Sequence, residues 1–388
     1  MKTLEDIALV EHFSEIEDTR DKCGRRHDLH TMIVIAVCAV LCGVNSIEGI
    51  ADFAECRLKW FKKFFDMPHG HPSADTFIRV FALIQPEVFE KCFMSWVQSI
   101  KKFLHGDTIA IDGKTLRGSF DTKNNLGPLH LVQAFAVRAG LVLLQKEVDK
   151  KTNEITAIPE LLECLILKGT VVTIDAMGCQ KKIAKQIVDS EADYALALKG
   201  NQGDFHRDVE AFLTKLIKNE IKRDHDYYKL EEANNHGRNE IRECYAVKIN
   251  QEDIKEKLFA NIMDWEKLTT VAAVCTQRTN KTTGEVGLET RFYISSLEAN
   301  AKEILTRTRE HWGIENSLHY VLDVTFQEDK SRVRKNNATK NFALIRKVAL
   351  NIIKNSPFKQ KKKISSLAGV RRFAAFNEDF LEELILTS

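Results

Sequence analysis

Two short apolar runs, each ending in an aspartate, constrain the fold of this chain more than any other feature. The runs are "TIAID", which ends at Asp112, and "VVTID", which ends at Asp175. Their length and their β-branched residues are typical of buried strands. If the two strands run in the same direction in one sheet, both carboxylates lie at the same edge. Carboxylates at one edge repel each other unless they share a cation, and hard divalent ions prefer oxygen ligands.

The residues after Asp112, "GKT", suggest a second interpretation, which is a phosphate-binding loop. That motif requires a glycine five residues before Gly113, where this chain has Thr108. We therefore disfavour a nucleotide-hydrolysing loop and expect no nucleotide cofactor. In a third interpretation, each aspartate only caps the turn or helix that follows it. A metal site and simple capping both remain open from these two residues alone.

The order of predicted elements indicates an α/β fold with a mixed sheet. Residues 1–104 carry apolar residues at helical spacing and are predicted to form a mostly helical, DNA-binding domain. Residues 105–221 begin with three strands, two of them a hairpin, and continue as helix–strand units, which favours a mixed sheet covered by helices. Residues 222–298 form a β-rich insertion, and residues 299–355 complete the core. Residues 356–388 form a basic segment that ends in a short acidic helix.

The net charge of +2 conceals a strongly basic region near the end of the sequence. Residues 330–375 contain fourteen Lys or Arg and no Asp or Glu. Positive charge of this kind attracts polyanions, and the release of their counterions drives binding. The region favours a nucleic acid partner over a solvated basic surface, and we expect no membrane partner. The most apolar stretch, residues 32–44, is too short to span a bilayer and is predicted to be a buried helix.

The cysteines and the first residues of the sequence bear on the compartment. Nine cysteines are scattered without a C-x-x-C pair, which favours reduced thiols over disulfides or structural zinc. Acidic residues interrupt the first twenty positions, where an export signal would need a long apolar stretch. We therefore predict a cytoplasmic, nucleoid-associated protein.

A third carboxylate, Glu315, lies in the predicted helix "RTREHWGIENSLHYVLD". Arg309, His311 and His319 are near it on the same helix, and such side chains bind phosphate groups. The plain alternative is that Glu315 is an ordinary surface glutamate.

Five segments together resemble a known family: "IAIDGKTLRGS", "VVTIDAMGCQ", "ALALKGNQ", "HGRNEIRE" and "REHWGIENSLHYVLDV". In this order and spacing they resemble the DDE transposases of bacterial insertion sequences, and most of all the H-repeat-associated proteins. The resemblance covers nearly the whole chain. It implies an RNase H-like catalytic core interrupted by a β-rich insertion before the third acid. It also implies a divalent-metal triad of Asp112, Asp175 and Glu315.

The same resemblance implies a reaction and its partners. The triad would hold two Mg²⁺ ions, bridged by Asp112, for which Mn²⁺ can substitute. The enzyme would cut double-stranded DNA at the terminal inverted repeats of its element and join the ends to target DNA by in-line displacement at phosphorus. Because two ends must be held together, a homodimer assembled on DNA is expected. The alternatives are a catalytically inactive DNA-binding protein, a metal-dependent nuclease without strand transfer and, least favoured, a helical protein-binding scaffold.

Other polar residues of these segments are expected to contact DNA: Lys114, Arg117, Ser119, Lys199, Asn201, Gln202, Arg238, Arg242, Arg309, His311 and His319. His236 and Glu240 alternate with Arg238 and Arg242 on one predicted strand. The broader DDE group has a Y-x2-R-x3-E-x6-K signature, of which this chain keeps only the glutamate. Thr308, His311 and Leu322 occupy the other three positions, so Arg309 and His311 are expected to take over the phosphate contacts.

Overall fold

The computed structural model describes residues 8–100, 104–120, 127–148, 154–235, 237–356, 364 and 366–387. The N-terminal part is helical, as predicted, with helices α1 (Ala8–Phe13), α2 (Leu29–Leu41), α3 (Ile47–Cys56), α4 (Leu58–Phe61), α5 (Ala74–Leu83) and α6 (Pro86–Ile100). Helix α2 begins after Asp28, whose carboxylate accepts a hydrogen bond from the Thr31 backbone N–H at 2.8 Å. Nearly every residue of α2 is buried, which confirms the buried helix predicted in this region. Among the helices of the described ranges, none has the length and apolar character needed to cross a bilayer.

The centre of the molecule is a mixed sheet of five strands. They are β1 (Thr108–Leu116), β2 (Leu129–Ala136), β3 (Leu141–Val148), β4 (Val171–Ile174) and β5 (Asp193–Leu198), with helices α7 (Glu154–Glu163), α8 (Lys181–Asp189) and α9 (Asp204–Ile217). Their spatial order is β3-β2-β1-β4-β5. Strands β1, β4 and β5 are parallel, whereas β2 pairs antiparallel with β1 and β3. This is the RNase H-like core that the resemblance implies.

The β-rich insertion continues the core sheet. Its elements are β6 (Asp226–Asn235), β7 (Arg238–Lys248), the short helix α10 (Gln251–Lys255), β8 (Thr270–Asn280) and β9 (Val286–Ser295). Strand β9 pairs antiparallel with β5, so the whole sheet has nine strands in the order β3-β2-β1-β4-β5-β9-β8-β7-β6. Because β5 ends the parallel core, its outer N–H and C=O groups need partners, and β9 supplies them.

The last elements cover the sheet and connect it to the N-terminal helices. They are α11 (Ala301–His311), a π-helical turn (Glu315–His319), α12 (Tyr320–Val324), α13 (Ala338–Asn355), α14 (Leu367–Phe376) and α15 (Glu378–Leu386). Helix α11 packs across β1, β4, β6 and β7. Helix α13 is buried along most of its length between β3 and the helices α2, α5 and α6. The helical region and the sheet therefore share one continuous hydrophobic core.

The structure corrects part of the prediction made from the basic region. Arg346 and Lys347 on α13 and Arg371 on α14 are buried. Lys347 lies 3.4 Å from Glu328 Oε1, and the Arg346 guanidinium lies over the ring of Phe342. Arg371 donates a hydrogen bond to the carbonyl of Val40 in the last turn of α2. These three cations serve internal packing and are not available to DNA, so the prediction was wrong for them. The lysines at positions 359 and 361–363 lie outside the described residues.

Candidate active site

The pairing of β1 with β4 places the two predicted aspartates side by side. Ile111 on β1 is the parallel partner of Ile174 on β4, so the next residues, Asp112 and Asp175, lie side by side. The prediction that the first strand ends at Asp112 was wrong, because pairing with β2 continues β1 to Leu116. Each carboxylate also accepts local backbone hydrogen bonds. Asp112 Oδ1 accepts from the Gly113 N–H at 2.9 Å, and Asp175 Oδ1 accepts from the Met177 N–H at 3.0 Å. Local capping and a shared metal site are therefore compatible, because these backbone hydrogen bonds use the Oδ1 atom of each aspartate and not Oδ2.

A π-helical turn brings the third carboxylate to the same place. The N–H of Tyr320 donates to the carbonyl of Glu315, which is the i to i+5 bond of a π-turn, and such turns are frequent at functional sites. Glu315 Oε2 lies 2.9 Å from His319 Nδ1, and the same nitrogen lies 3.8 Å from Asp112 Oδ2. One ligand atom from each of Asp112, Glu315 and His319 can be chosen so that all three lie within 4.8 Å of one another.

Asp112, Asp175 and Glu315 line one cleft of about 540 Å³. The lining also includes residues of β9 and residues around the π-turn, among them Arg291 and Trp312. The Arg291 guanidinium lies over the Trp312 ring, 4.9 Å from its centroid. A cleft of this size, lined by acids and by a cation that lies on an aromatic ring, can accept a polar, anionic substrate.

The electrostatics of the cleft fit a divalent cation. Burial raises the pKa of Asp112 to about 7, and the negative charges of Asp175, Glu154 and Glu315 contribute, whereas the Gly113 N–H opposes the shift. A buried carboxylate surrounded by other carboxylates is stabilised in its charged form by a cation. Oxygen donors from two carboxylates, together with a histidine nitrogen, form a suitable ligand set for such an ion.

Of the two histidines near Glu315, His319 is buried and His311 is partly buried, and both act as neutral groups. Burial lowers the pKa of His311 to about 4, and burial also lowers the pKa of His319. His311 Nδ1 lies 3.2 Å from Thr173 Oγ1 on β4, and the ring lines the cleft. At neutral pH these residues therefore offer hydrogen bonds or a ligand nitrogen rather than the positive charge that a phosphate would attract.

Lys114 does not face DNA, as the sequence had led us to predict. Its side chain is only 6% exposed and donates a hydrogen bond to Asp323 Oδ1 at 2.5 Å. A second carboxylate, the buried Glu328, has its Oε2 atom 3.8 Å from the ammonium. The prediction of a phosphate contact was wrong, because these two acids take up the charge. Lys114 instead connects the strand of Asp112 to helix α12, which follows the π-turn.

Two amides predicted to contact DNA brace the loop after Asp175. Asn201 Nδ2 donates to the carbonyl of Ala176 at 2.7 Å, and Gln202 Nε2 donates to the carbonyl of Cys179 at 2.7 Å. Their donors are therefore engaged inside the protein, where they fix the loop that carries the second acid. Lys199, just before them, is exposed and lines the cleft.

Arg242 and Arg309 belong to a ladder of alternating arginines and glutamates across the insertion strands. Glu232 on β6 accepts from Arg309 at 2.8 Å and from Arg242 at 2.6 Å. The ladder continues to the cleft through Glu240, Arg278, Glu289 and Arg291. Both predicted DNA contacts are thus already ion-paired, and the ladder ends at Arg291 in the lining of the cleft.

The remaining predicted contacts are in exposed or loop positions. The Arg117 side chain is 86% exposed, and Arg238 is exposed at the start of β7. Ser119 closes its own loop, because its hydroxyl donates to the Leu116 carbonyl and accepts from the Leu129 N–H, each at 2.7 Å. Glu240 is a buried member of the ladder. His236 lies outside the described residues.

The burial of two signature positions explains why this chain departs from the broader DDE pattern. Thr308 and Leu322 are buried in the core, and the Thr308 hydroxyl donates to the Leu305 carbonyl of its own helix. A tyrosine or lysine that reaches DNA would not fit at such positions. Only His311 and Glu315, of the four positions, line the cleft.

Sequence reasoning missed a buried pair directly beside Asp112. His130 Nε2 and Glu154 Oε1 are 2.6 Å apart, and a Cβ atom on Gly113 would lie 2.3 Å from that glutamate oxygen. It also missed Arg291, for which the strand "ETRFYISS" gives no local signal. Trp312 lies in the quoted motif "REHWGIENSLHYVLDV", but its contact with the Arg291 guanidinium was not predicted.

Comparisons with known proteins agree with this geometry. A family model described as "Transposase DDE domain" matches residues 104–352, and the model "DDE_Tnp_1-associated" matches residues 10–97. The chain is 39% identical to "Putative transposase YncI" of Escherichia coli O157:H7, over 97% of this chain and 94% of the relative. It is 37% identical to "H repeat-associated putative transposase YhhI" of Escherichia coli K12, over 98% of each.

One solved structure, a cryo-EM piggyBac transposase synaptic complex with hairpin DNA, aligns at a TM-score of 0.42 and 10% identity, over 97% of this chain and 78% of that one. The likeness is too weak to carry an argument, and the two sequence comparisons are sufficient without it. Dependence on a divalent metal and binding to DNA follow from the family match. The chain therefore belongs to the DDE transposases of bacterial insertion sequences, and within them to the H-repeat-associated group, as its motifs predicted.

Proposed function

We propose that this transposase cuts the ends of its element and joins them to target DNA by in-line displacement at phosphorus, with Asp112, Asp175 and Glu315 as the catalytic acids. The observation that supports this most is the convergence of the three carboxylates on one cleft. They come from two adjacent parallel strands and from a turn about 140 residues further along the chain. Such a convergence is not needed to stabilise the sheet.

The acids would hold two Mg²⁺ ions, for which Mn²⁺ can substitute, and Asp112 would be the shared ligand. Its position between Asp175 on the neighbouring strand and Glu315 on the π-turn suits that role. Cations held there would activate the attacking oxygen and neutralise the leaving 3′ oxygen at a phosphodiester. The loop bonds of Asn201 and Gln202 keep Asp175 in place, and Lys114 keeps the strand of Asp112 against α12.

The DNA duplex would approach the cleft along exposed cations. Lys199 lines the cleft, and Arg117 follows the strand of Asp112. The guanidinium of Arg334 lies over the ring of Phe120, 5.0 Å from its centroid, and Phe120 is three residues after Arg117 in the sequence. We include the exposed Arg238 among these cations, and Arg242 and Arg309, although paired with Glu232, among the basic groups around them. His311 and His319 are neutral and add hydrogen-bonding groups rather than charge. Cations spread in this way bind the DNA backbone with strong dependence on salt.

We assign residues 105–221 and 299–355 to the catalytic core, residues 222–298 to the insertion and residues 1–104 to recognition of the element ends. The protein would act on terminal inverted repeats and target DNA as a homodimer assembled on two ends, in the bacterial cytoplasm at the nucleoid. All nine cysteines are free thiols, which suits that compartment.

A cleavage assay on a labelled duplex tests the proposal. The duplex carries the terminal repeats that flank this coding sequence, and wild type, Asp112→Asn, Asp175→Asn and Glu315→Gln are compared with Mg²⁺ or Mn²⁺. A matched control is Glu220→Gln, which changes an exposed acid just past the C-terminal end of α9. The cleft-lining residues of α9, His206 and Glu210, lie about 10 Å or more from that end along the helix axis.

The proposal predicts metal-dependent cleavage that leaves a 3′-hydroxyl, lost in the three acid variants and kept in the control, followed by joining to a target plasmid. Binding of the duplex without cleavage by either metal would instead identify an inactive DNA-binding protein. Cleavage that is never followed by joining would identify a nuclease without strand transfer.

A further inference from the structure

His319 is placed to bind a cation directly, in addition to the acids already considered. It ends the π-turn that Glu315 begins, so that its ring returns toward the same point as the Glu315 carboxylate. The ring is buried, and Nδ1 rather than Nε2 faces the carboxylates. In the described part of the chain Nε2 has no hydrogen-bond partner, so the only polar contacts of this ring are with the acids.

The distances around Nδ1 are those expected between ligand atoms of one ion. Nδ1 is 2.9 Å from Glu315 Oε2 and 3.8 Å from Asp112 Oδ2. Ligand atoms that each lie about 2.1 Å from a common octahedral cation are separated by about 3 to 4.2 Å, depending on whether they are neighbours or opposite. Both distances fall in this range, although the three residues come from two separate segments of the chain.

The second aspartate is not part of this compact group. Asp175 follows β4 and lines the same cleft, but its carboxylate accepts hydrogen bonds from the N–H groups of Met177 and Gly178 in its own turn. The tightest set of potential ligands in the described residues is therefore Asp112, Glu315 and His319. This set contains a nitrogen where an all-carboxylate site would have oxygen only.

We propose that His319 is a direct ligand of the cation shared by Asp112 and Glu315, and that this nitrogen makes the site prefer Mn²⁺ to Mg²⁺. The inference rests on the proposed function, because it concerns the same metal site. Mg²⁺ favours oxygen ligands and water, whereas imidazole nitrogen binds later divalent metals well. If His319 were only a hydrogen-bond partner that orients Glu315, the site would show no such preference for Mn²⁺ over Mg²⁺.

Binding of Mn²⁺ to the full-length protein, measured by electron paramagnetic resonance, separates the two roles. Direct ligation predicts ¹⁴N coupling from a coordinated imidazole in the spin-echo modulation of wild type. His319→Gln keeps a hydrogen-bonding group but removes the ligand nitrogen, so the coupling is lost and Mn²⁺ binds about tenfold or more weakly. His311→Gln is the matched control, because that histidine lines the cleft outside the compact group, and it keeps the coupling.

A second variant reverses the preference. His319→Asp makes the ligand set all-carboxylate, so Mg²⁺ affinity rises relative to Mn²⁺ while the ¹⁴N coupling is absent. Mn²⁺ binding that depends on Asp112 but has no imidazole coupling would overturn the role of His319 and leave the acid site intact. If Asp112→Asn abolishes no Mn²⁺ binding of the wild-type protein, the metal site itself is overturned. If His319→Gln does not fold, the wild-type coupling decides the question alone.

Discussion

Replacement of Lys114 by methionine tests the internal role that the structure gives to this cation. Methionine has similar length but no charge, so Lys114→Met leaves Asp323 and Glu328 without the ammonium that they share. Glu328 is fully buried, and although burial works to raise its pKa, Lys347 and Lys114 hold that pKa below the ordinary value. Glu328 is therefore charged, and removal of one of its partners is costly.

The size of the effect follows from these contacts. Loss of one partner from a buried ion pair costs about 3 to 5 kcal/mol. Glu328 keeps Lys347 at 3.4 Å, and Asp323 is 34% exposed and can be hydrated, so the lower end applies. We expect a loss of about 3 kcal/mol in the free energy of unfolding, measured by urea denaturation with tryptophan fluorescence.

The salt dependence of DNA binding provides a second test of Lys114→Met, for which we expect no change. A phosphate contact contributes about 0.9 to the slope of log affinity against log salt. Lys114→Met should leave that slope unchanged, because the ammonium does not reach the surface. Arg117→Met, at an exposed cation three residues away, should reduce the slope by about one and change stability by about 0.5 kcal/mol or less. A Lys114→Met protein with wild-type stability and a reduced slope would refute the reasoning.

Three further expectations concern stability and pH. Asn351→Leu should cost about 2 to 4 kcal/mol in urea denaturation, because the buried amide of Asn351 pairs with both the N–H and the C=O of Val142 on edge strand β3 and leucine leaves both unpaired. Gly113→Ala should cost about 1 to 3 kcal/mol, because the new methyl displaces Glu154, and an unchanged unfolding midpoint would contradict the close approach. In metal-free protein the folded state holds a proton on Asp112 up to a pKa of about 7, whereas the unfolded state releases it near 3.8. Stability therefore falls as pH rises between these values, and Asp112→Asn should remove that part of the slope in a series of denaturation curves.

Local patterns were sufficient for the strands and the acids. The runs that end at Asp112 and Asp175 are strands because apolar β-branched residues are stable on a buried pleated surface. The hairpin of β2 and β3, the buried helix α2 and the four insertion strands were also readable from alternation and turn residues. The family motifs added Glu315, which no local pattern distinguishes from a surface glutamate.

Local patterns were not sufficient for the charged groups. Lys114 and Arg117 are three residues apart in one basic motif, yet one is buried against Asp323 and the other is exposed. The difference arises from an acid 209 residues away in the sequence. Desolvation of a charge depends on which partners surround it in space, and those partners have no fixed sequence distance.

The sequence by itself determined the alternation of strands and helices, the position of Asp175 at a strand end and the family, whereas Asp112 lies within β1, which continues to Leu116. The tertiary structure decided that β9 continues the core sheet at β5, that an arginine–glutamate ladder reaches the cleft, and that His319 Nδ1 faces both Glu315 and Asp112. The physical reason is the range in sequence over which each interaction acts. Backbone preferences act between neighbours in the chain, whereas electrostatics and packing act between groups that only folding brings together.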